Sequence, residues 1–393
     1  MMNKLFKLLA LLSMAFAMTS CGTVGLMVHT AKIFNDNSSF STNSTYDTIH
    51  FVVSKRNQML LKAEINGKSD TVMYDTGVNS FALLMYTPST KPEGMKFYNH
   101  RVSGADKRSK IKVTTLPVTI KTDMVVSEGV GFANLGPEPP VCQKESSLSV
   151  HNIIGFQGLN LIRYKIDFAN NMMYELPDSL PDSLIIDTTE FIPIKCKLYR
   201  DVLWVYPRIK GVEYECIFDT GNGAAAFLLQ DEQRVGNPLE NDYVFEGSYG
   251  QAIGGHTDKQ TFVLADQERL SLAGVDKEAE VMYVKSLEHN NMGLKAISKY
   301  DWIISSRGGK LRMYARPHTT DVVKPFEASA YRVSTADGTL KILTRLVNGN
   351  EKFKVGDRII SVNGEKITEE NICHYYDLLT ENKDWSGFEI EVK

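Results

Sequence analysis

The tripeptide Asp-Thr-Gly occurs twice, at Asp75-Thr76-Gly77 and at Asp219-Thr220-Gly221. An apolar or aromatic pair leads into each, Met73-Tyr74 and Ile217-Phe218, which is the pattern of a buried strand that ends on a carboxylate. Two carboxylates held about 3 Å apart cannot both ionise, so they share one proton. One can then act as base toward a water while the other acts as acid toward a substrate carbonyl. A lone Asp-Thr-Gly is an ordinary turn, in which Asp accepts backbone N–H groups and Gly supplies positive φ. At average residue usage one chance copy in a chain of this length has a probability of roughly 0.1, and two fall well under once in about a hundred chains.

The surroundings are duplicated with the triplets. Gly67 and Gly211 each stand eight residues before an Asp, after alternating strand patterns at Leu61, Ala63, Ile65 and at Val205, Pro207, Ile209. Further on, Asn152-Ile153-Ile154-Gly155 matches Asn290-Asn291-Met292-Gly293, and Tyr164-Lys165-Ile166-Asp167 aligns without gaps to Trp302-Ile303-Ile304-Ser305. The second copy is the weaker, with Asn291 where an apolar residue is expected. Such an internal repeat outranks any single motif.

With these residues the chain resembles the pepsin and retropepsin clan of aspartic peptidases over roughly residues 47 to 318. The resemblance implies an all-β fold of two acid-protease-like β-barrel lobes related by a pseudo-twofold axis, one catalytic carboxylate from each. Lobe one is expected over 49–177, a linker over 178–190 and lobe two over 191–318. Asp75 and Asp219 would activate a water with no metal, cofactor or covalent intermediate. Thr76 and Thr220 would hydrogen-bond across the lobe interface, while Gly77 and Gly221 let the loops cross closely. Gly104 in the first lobe and Tyr249 and Gly250 in the second are candidates for the flap over the substrate, an extended peptide or unfolded segment. The Gly after Asn152-Ile153-Ile154 would permit the close backbone approach that braces the active Asp.

Outside those lobes, Lys4 and Lys7 precede an apolar run, Leu8 to Met18, too short to span a bilayer. Residues 1–20 therefore read as a signal peptide. Met18-Thr19-Ser20-Cys21-Gly22 resembles a bacterial lipoprotein box with Cys21 as the lipidated residue, which implies a protein anchored in the cell envelope on a periplasmic or outer-membrane face. Residues 21–48 include a run of Asn, Ser, Thr and Asp and read as a flexible tether. At the other end, residues 322–393 form a small α+β module. Gly356-Asp357 and Asn363-Gly364 bracket a strand, and Ile372, Tyr375, Tyr376, Leu378 and Leu379 follow on helical spacing. This segment resembles a PDZ domain, which implies a peptide or protein ligand, although the Gly-apolar-Gly carboxylate loop is missing between Phe326 and Val347. A cap packed on lobe two is the plainer role.

Composition narrows the function classes. Forty-four Lys and Arg against 47 Asp and Glu give a net charge of −3, and no basic tract suits nucleic acid. There is no H-E-x-x-H for a metal hydrolase, no G-x-S-x-G for a serine hydrolase and no P-loop order for nucleotide. A disulfide such as Cys142 with Cys196 suits an envelope compartment. After the triplets stand Val78 and Asn222, where the family usually has Ser, Thr or Ala. Val78 cannot donate to a carboxylate and Asn222 is long for the task, so the pair's apparent pKa values and its activity optimum are expected toward neutral pH. The alternative from another class is a catalytically silent peptide-binding lipoprotein with the same cleft.

Overall fold

The computed structural model describes residues 39–42, 48–78, 82–84, 98–103, 108–113, 117–131, 133–134, 152–156, 159, 162–177, 186–252, 255–306, 310–320, 322–323, 328–335, 338–347 and 352–393. The expected signal peptide, Cys21, Gly104, Cys142 and most of the linker lie outside the described residues. Among the described residues strands far outweigh helices, so the fold is mostly β, built as open sheets.

The two Asp-Thr-Gly copies occupy matching places. Strand Lys68–Asp75 pairs antiparallel with Met59–Ile65 on one side and parallel with Asn152–Gly155 on the other, with Asp75 opposite Gly155. Strand Cys216–Asp219 pairs antiparallel with Val202–Val205 and parallel with Asn291–Gly293, with Asp219 opposite Gly293. Each bracing strand then pairs antiparallel with the segment that follows its triplet, Ala82–Leu84 or Phe227–Gln230. The duplication read from the residues is thus a duplication of strand topology.

The repeats meet in one shared sheet. Strand Arg163–Asp167 pairs antiparallel with Tyr300–Ser305, with Tyr164 opposite Ile304 and Ile166 opposite Trp302. Under the gapless alignment, Tyr164 corresponds to Trp302 and Ile166 to Ile304, so exchanging the repeats returns the same register. Asp301 ties the seam further: its carboxylate accepts the Phe168 N–H at 2.9 Å and an Arg316 N–H at 2.8 Å. The main core runs through both repeats and includes the fully buried Tyr74, Tyr164, Phe168, Phe218, Tyr300 and Trp302.

Two apolar runs at the start of the second repeat are broken strands. The run Ile192 to Leu198 divides at Lys195 because its halves serve different sheets: Ile192–Ile194 pairs with Arg312–Pro317 and Cys196–Tyr199 pairs with Val202–Val205. The run Val202 to Ile209 stops at Val205 and resumes at Arg208–Ile209, since Pro207 has no N–H for a ladder. Among the described residues Cys196 and Cys216 are free thiols, and Cys142, the partner proposed for Cys196, lies outside them. The Cys196 Sγ faces the Leu311 carbonyl at 3.9 Å, and burial raises its pKa.

The C-terminal segment joins the second repeat through backbone. Strand Lys341–Leu346 pairs with Tyr243–Gly247 on one side and Tyr331–Ser334 on the other, extending the sheet of the second repeat. Gly247 makes this approach possible, because a Cβ there would lie 2.3 Å from the Leu343 carbonyl oxygen. The helix expected from the spacing of Ile372 to Leu379 is Ile372–Glu381. It buries Ile372, Tyr375 and Leu379 against Tyr331, Val333 and Trp385. Asn363 and Gly364, at φ 52° and 78°, form the turn between Ile359–Val362 and Glu365–Lys366, where positive φ at both central residues matches the twist of the strands.

Candidate active site

Both triplets turn back at the end of a core strand, and their threonines interlock. The Thr76 N–H donates to Thr220 Oγ1 at 3.1 Å, and the Thr220 N–H donates to Thr76 Oγ1 at 3.0 Å. The Thr76 hydroxyl donates to the Phe218 carbonyl at 2.6 Å, and the Thr220 hydroxyl donates to the Tyr74 carbonyl at 2.7 Å. Both threonines have no exposed surface. Every donor in this knot is therefore satisfied across the repeat interface, and neither turn is complete without the other.

The knot sets the carboxyls face to face. A side-chain hydrogen bond joins Asp75 and Asp219. A Cβ at Gly77 would stand 2.6 Å from Asp219 Cγ, and one at Gly221 would stand 2.3 Å from Asp75 Cγ. Each glycine thus forms the floor under the opposite carboxyl. The Gly77 N–H donates to Asp75 Oδ1 at 2.9 Å and the Gly221 N–H donates to Asp219 Oδ1 at 2.9 Å.

The electrostatic surroundings of the two carboxyls differ. Both keep part of their surface open to solvent while protein encloses the rest, and loss of water is the largest influence on each. Burial, then the Asp219 charge and the shared hydrogen bond, push Asp75 well above the ordinary carboxylate range; the Gly77 and Val78 N–H groups oppose this. Burial raises Asp219 as well, opposed first by the Asn291 side chain, then by Asp75 and the Gly221 and Asn222 N–H groups. The Asn291 amide donates to Asp219 Oδ2, and the Asn222 amide donates to Asn291 Oδ1 at 2.7 Å. The corresponding first-repeat positions hold Val78 and Ile153, which have no side-chain donor. The proton shared by the pair is therefore favoured on Asp75 and the negative charge on Asp219.

No protein-family model matches the chain, and no curated protein matches it. The assignment of the site rests on the geometry of these residues.

The structure brings together Asp75, Asp219, Thr76, Thr220, Gly77 and Gly221. Of the flap candidates it places Tyr249 differently. Tyr249 is 2% exposed and packs edge-on against Phe262 at 6.2 Å, so it belongs to the core beneath its hairpin. The Gly250 carbonyl accepts the Thr257 N–H at 3.0 Å at the base of a short hairpin, Gln251–Ala252 with Gly255–His256. Gly104 lies outside the described residues, although the strands that flank it, Tyr98–Ser103 and Arg108–Val113, pair antiparallel. Sequence reasoning missed Asn291 as a site residue and read it as decay of the repeat. The available signal was that two polar residues, Asn222 and Asn291, replace two apolar ones together.

Proposed function

We propose that the chain is an aspartic endopeptidase of the pepsin and retropepsin kind, two-lobed, anchored in a bacterial envelope through Cys21 and carrying a PDZ-like C-terminal module. The observation that carries this reading is the reciprocal closure of the site, with each glycine under the opposite carboxyl and each threonine bonded into the opposite turn. A single Asp-Thr-Gly turn needs no such partner.

A water held between the carboxyls would give its proton to Asp219 as its oxygen attacks the scissile carbonyl carbon. Asp75 would pass its proton to the carbonyl oxygen, leaving a neutral gem-diol and a charge on Asp75. Collapse would return a gem-diol proton to Asp75 while Asp219 protonates the departing nitrogen, and the C–N bond breaks. The pair ends as it began. Asn291 supports the anion on Asp219 before the attack, and the Asn222 amide holds Asn291 in that orientation.

The test is cleavage of a diverse peptide mixture by the chain from about pH 3 to about pH 8. Cleavage is expected, with an optimum toward neutral pH because both carboxyls are raised. Asp75→Asn and Asp219→Asn should each abolish it with the fold intact. Retention of more than a few per cent of activity by either variant would contradict a shared pair. Binding without cleavage by the unsubstituted chain would make it a silent peptide-binding protein instead.

A further inference from the structure

The hairpins that precede the two triplets turn differently. In the second repeat Cys196–Tyr199 passes to Val202–Val205 through two residues, Arg200 and Asp201, both at positive φ. In the first repeat Thr48–Val53 passes to Met59–Ile65 through five, Ser54 to Gln58. The longer turn is closed by its own bonds. The Ser54 hydroxyl oxygen accepts the Arg56 N–H at 3.3 Å and the Gln58 N–H at 3.2 Å, and the Ser54 N–H donates to the Gln58 carbonyl at 2.9 Å.

The extra length carries this turn onto the loop that follows Asp219. A Cβ on Gly223 would lie 2.3 Å from the Arg56 carbonyl oxygen and 2.5 Å from that of Asn57, and the Asn57 amide donates to the Gly223 carbonyl at 3.2 Å. Gly223 has no positive φ, so room for the turn, and not backbone conformation, calls for glycine there. Gly223 is also the middle of a side-chain turn, in which Asn222 Oδ1 accepts the Ala224 N–H at 3.0 Å. That bond orients the Asn222 amide, which donates to Asn291 at 2.7 Å, and Asn291 donates to Asp219. On the far side the C-terminal helix holds the turn. The Arg56 guanidinium donates to the Tyr376 hydroxyl at 2.9 Å, and Lys55 Nζ lies 3.6 Å from Glu381, an exposed pair that contributes little. Tyr375 and Leu379 of the same helix are buried in the C-terminal core, so Tyr376 stands on an element fixed to its own module. An unbroken series of contacts thus runs from Tyr376 through Arg56, Asn57 and Gly223 to the amides beside Asp219.

We infer that Asn57 and Tyr376 are positioning residues for Asp219: through the Ser54–Gln58 turn, the C-terminal module holds the Gly223 loop in the shape that aims the Asn222 and Asn291 amides. The first repeat and the module thereby act together on the carboxyl of the second repeat. The titratable group that faces Asp219 is Asp75, and those that face Arg56 are Tyr376 and Asp377. Arg56 itself stays protonated at every pH of interest. That the supported charge serves peptide cleavage rests on the peptidase reading; the hold on the loop does not.

The test is the carboxyl titration of the full chain in detergent, labelled with 13C at aspartate and followed by NMR from about pH 3 to about pH 9. Asn57→Gly keeps the left-handed backbone that Asn57 adopts at φ 57° and removes its amide donor. The lower step of the Asp75–Asp219 pair should then rise by about half a pH unit, because Asp219 loses part of its support. Tyr376→Phe removes one hydroxyl from the module and should raise the step by about 0.2 unit. In an Asn291→Ile background the relay is already cut, so neither substitution should move the step further. A merely structural role would lower stability and leave the titration alone. A step that stays in place in Asn57→Gly, or that moves equally with and without Asn291, overturns the inference; a Tyr376→Phe titration identical to that of the unsubstituted chain overturns the module's part in it. In the cleaving protein the acidic limb of kcat/KM should follow the NMR step. Shifted steps in a chain that never cleaves would uphold the hold on Asp219 and defeat the peptidase reading; cleavage with unmoved steps would do the reverse.

Discussion

The two repeats agree where their triplets interlock and differ beside and beneath the carboxyls that those triplets carry. Thr76 and Thr220 make the same bonds to each other's turns, and Gly77 and Gly221 lie under each other's carboxyls. Beneath the carboxyls the symmetry lapses. Tyr74 and Tyr164 share a buried hydroxyl pair at 2.6 Å in the first repeat, while their counterparts Phe218 and Trp302 pack edge to face at 4.8 Å in the second. Beside the carboxyls, Val78 and Ile153 correspond to Asn222 and Asn291. A symmetric frame thus holds an asymmetric charge, which suits a reaction that needs one base and one acid at the same moment.

Substitutions that touch the symmetric part should have large and equal effects. Gly77→Ala and Gly221→Ala each push a methyl into the opposite carboxyl, so each should lower kcat/KM by at least about a hundredfold. Steady-state assay of the two variants side by side checks this, and a large loss in one alone would break the equivalence. Thr76→Val and Thr220→Val each leave a buried N–H and a buried carbonyl without partners. Each should destabilise the fold by about 2–4 kcal/mol in denaturant titration, the two agreeing within about 1 kcal/mol.

This symmetric part was legible in the sequence, because close approach of two backbones leaves little choice but Gly and a small hydroxyl residue. The spacing of Gly67, Gly211 and the two bracing segments carried the rest of the frame. What was not legible depended on tertiary partners. The break at Lys195 follows from two sheets competing for adjacent residues, and the burial of Tyr249 follows from its contact with Phe262, distant along the chain. Asn291 was the instructive case, since a polar residue in a buried strand looks like decay until the carboxylate it serves is in place.

Substitutions in the asymmetric part should move pH dependence rather than abolish activity. Asn291→Ile removes the donor to Asp219, which disfavours the first ionisation of the pair. The acidic limb of the kcat/KM profile should therefore move up by about one pH unit. Val78→Asn with Ile153→Asn copies the donor relay into the first repeat, favours the second ionisation and should draw the alkaline limb down. Unchanged limbs in both variants would mean that the asparagines only pack.

The smallest expected effect is on stability. Because the native state holds Asp75 above the ordinary carboxylate range, it binds more protons than the unfolded chain between those limits. Stability then falls as pH rises through the raised value, and the cost is complete above it. Asp75→Asn should accordingly raise Tm at pH 8, by on the order of 2 °C, with a smaller gain at pH 4. Thermal unfolding at the two pH values checks the sign.

The most direct measurement of the shared pair needs no substrate. In the full chain labelled with 13C at the aspartate carboxyls, the signals of Asp75 and Asp219, assigned through the two Asp→Asn variants, can be followed by NMR from about pH 3 to about pH 9. The account predicts that both signals move in the same two macroscopic steps, with the upper step above the ordinary carboxylate range. Asp219 should carry more of the charge between the steps, and either Asp→Asn variant should collapse the titration to a single step. Two independent single-step titrations near the ordinary value of about 3.9 would contradict it.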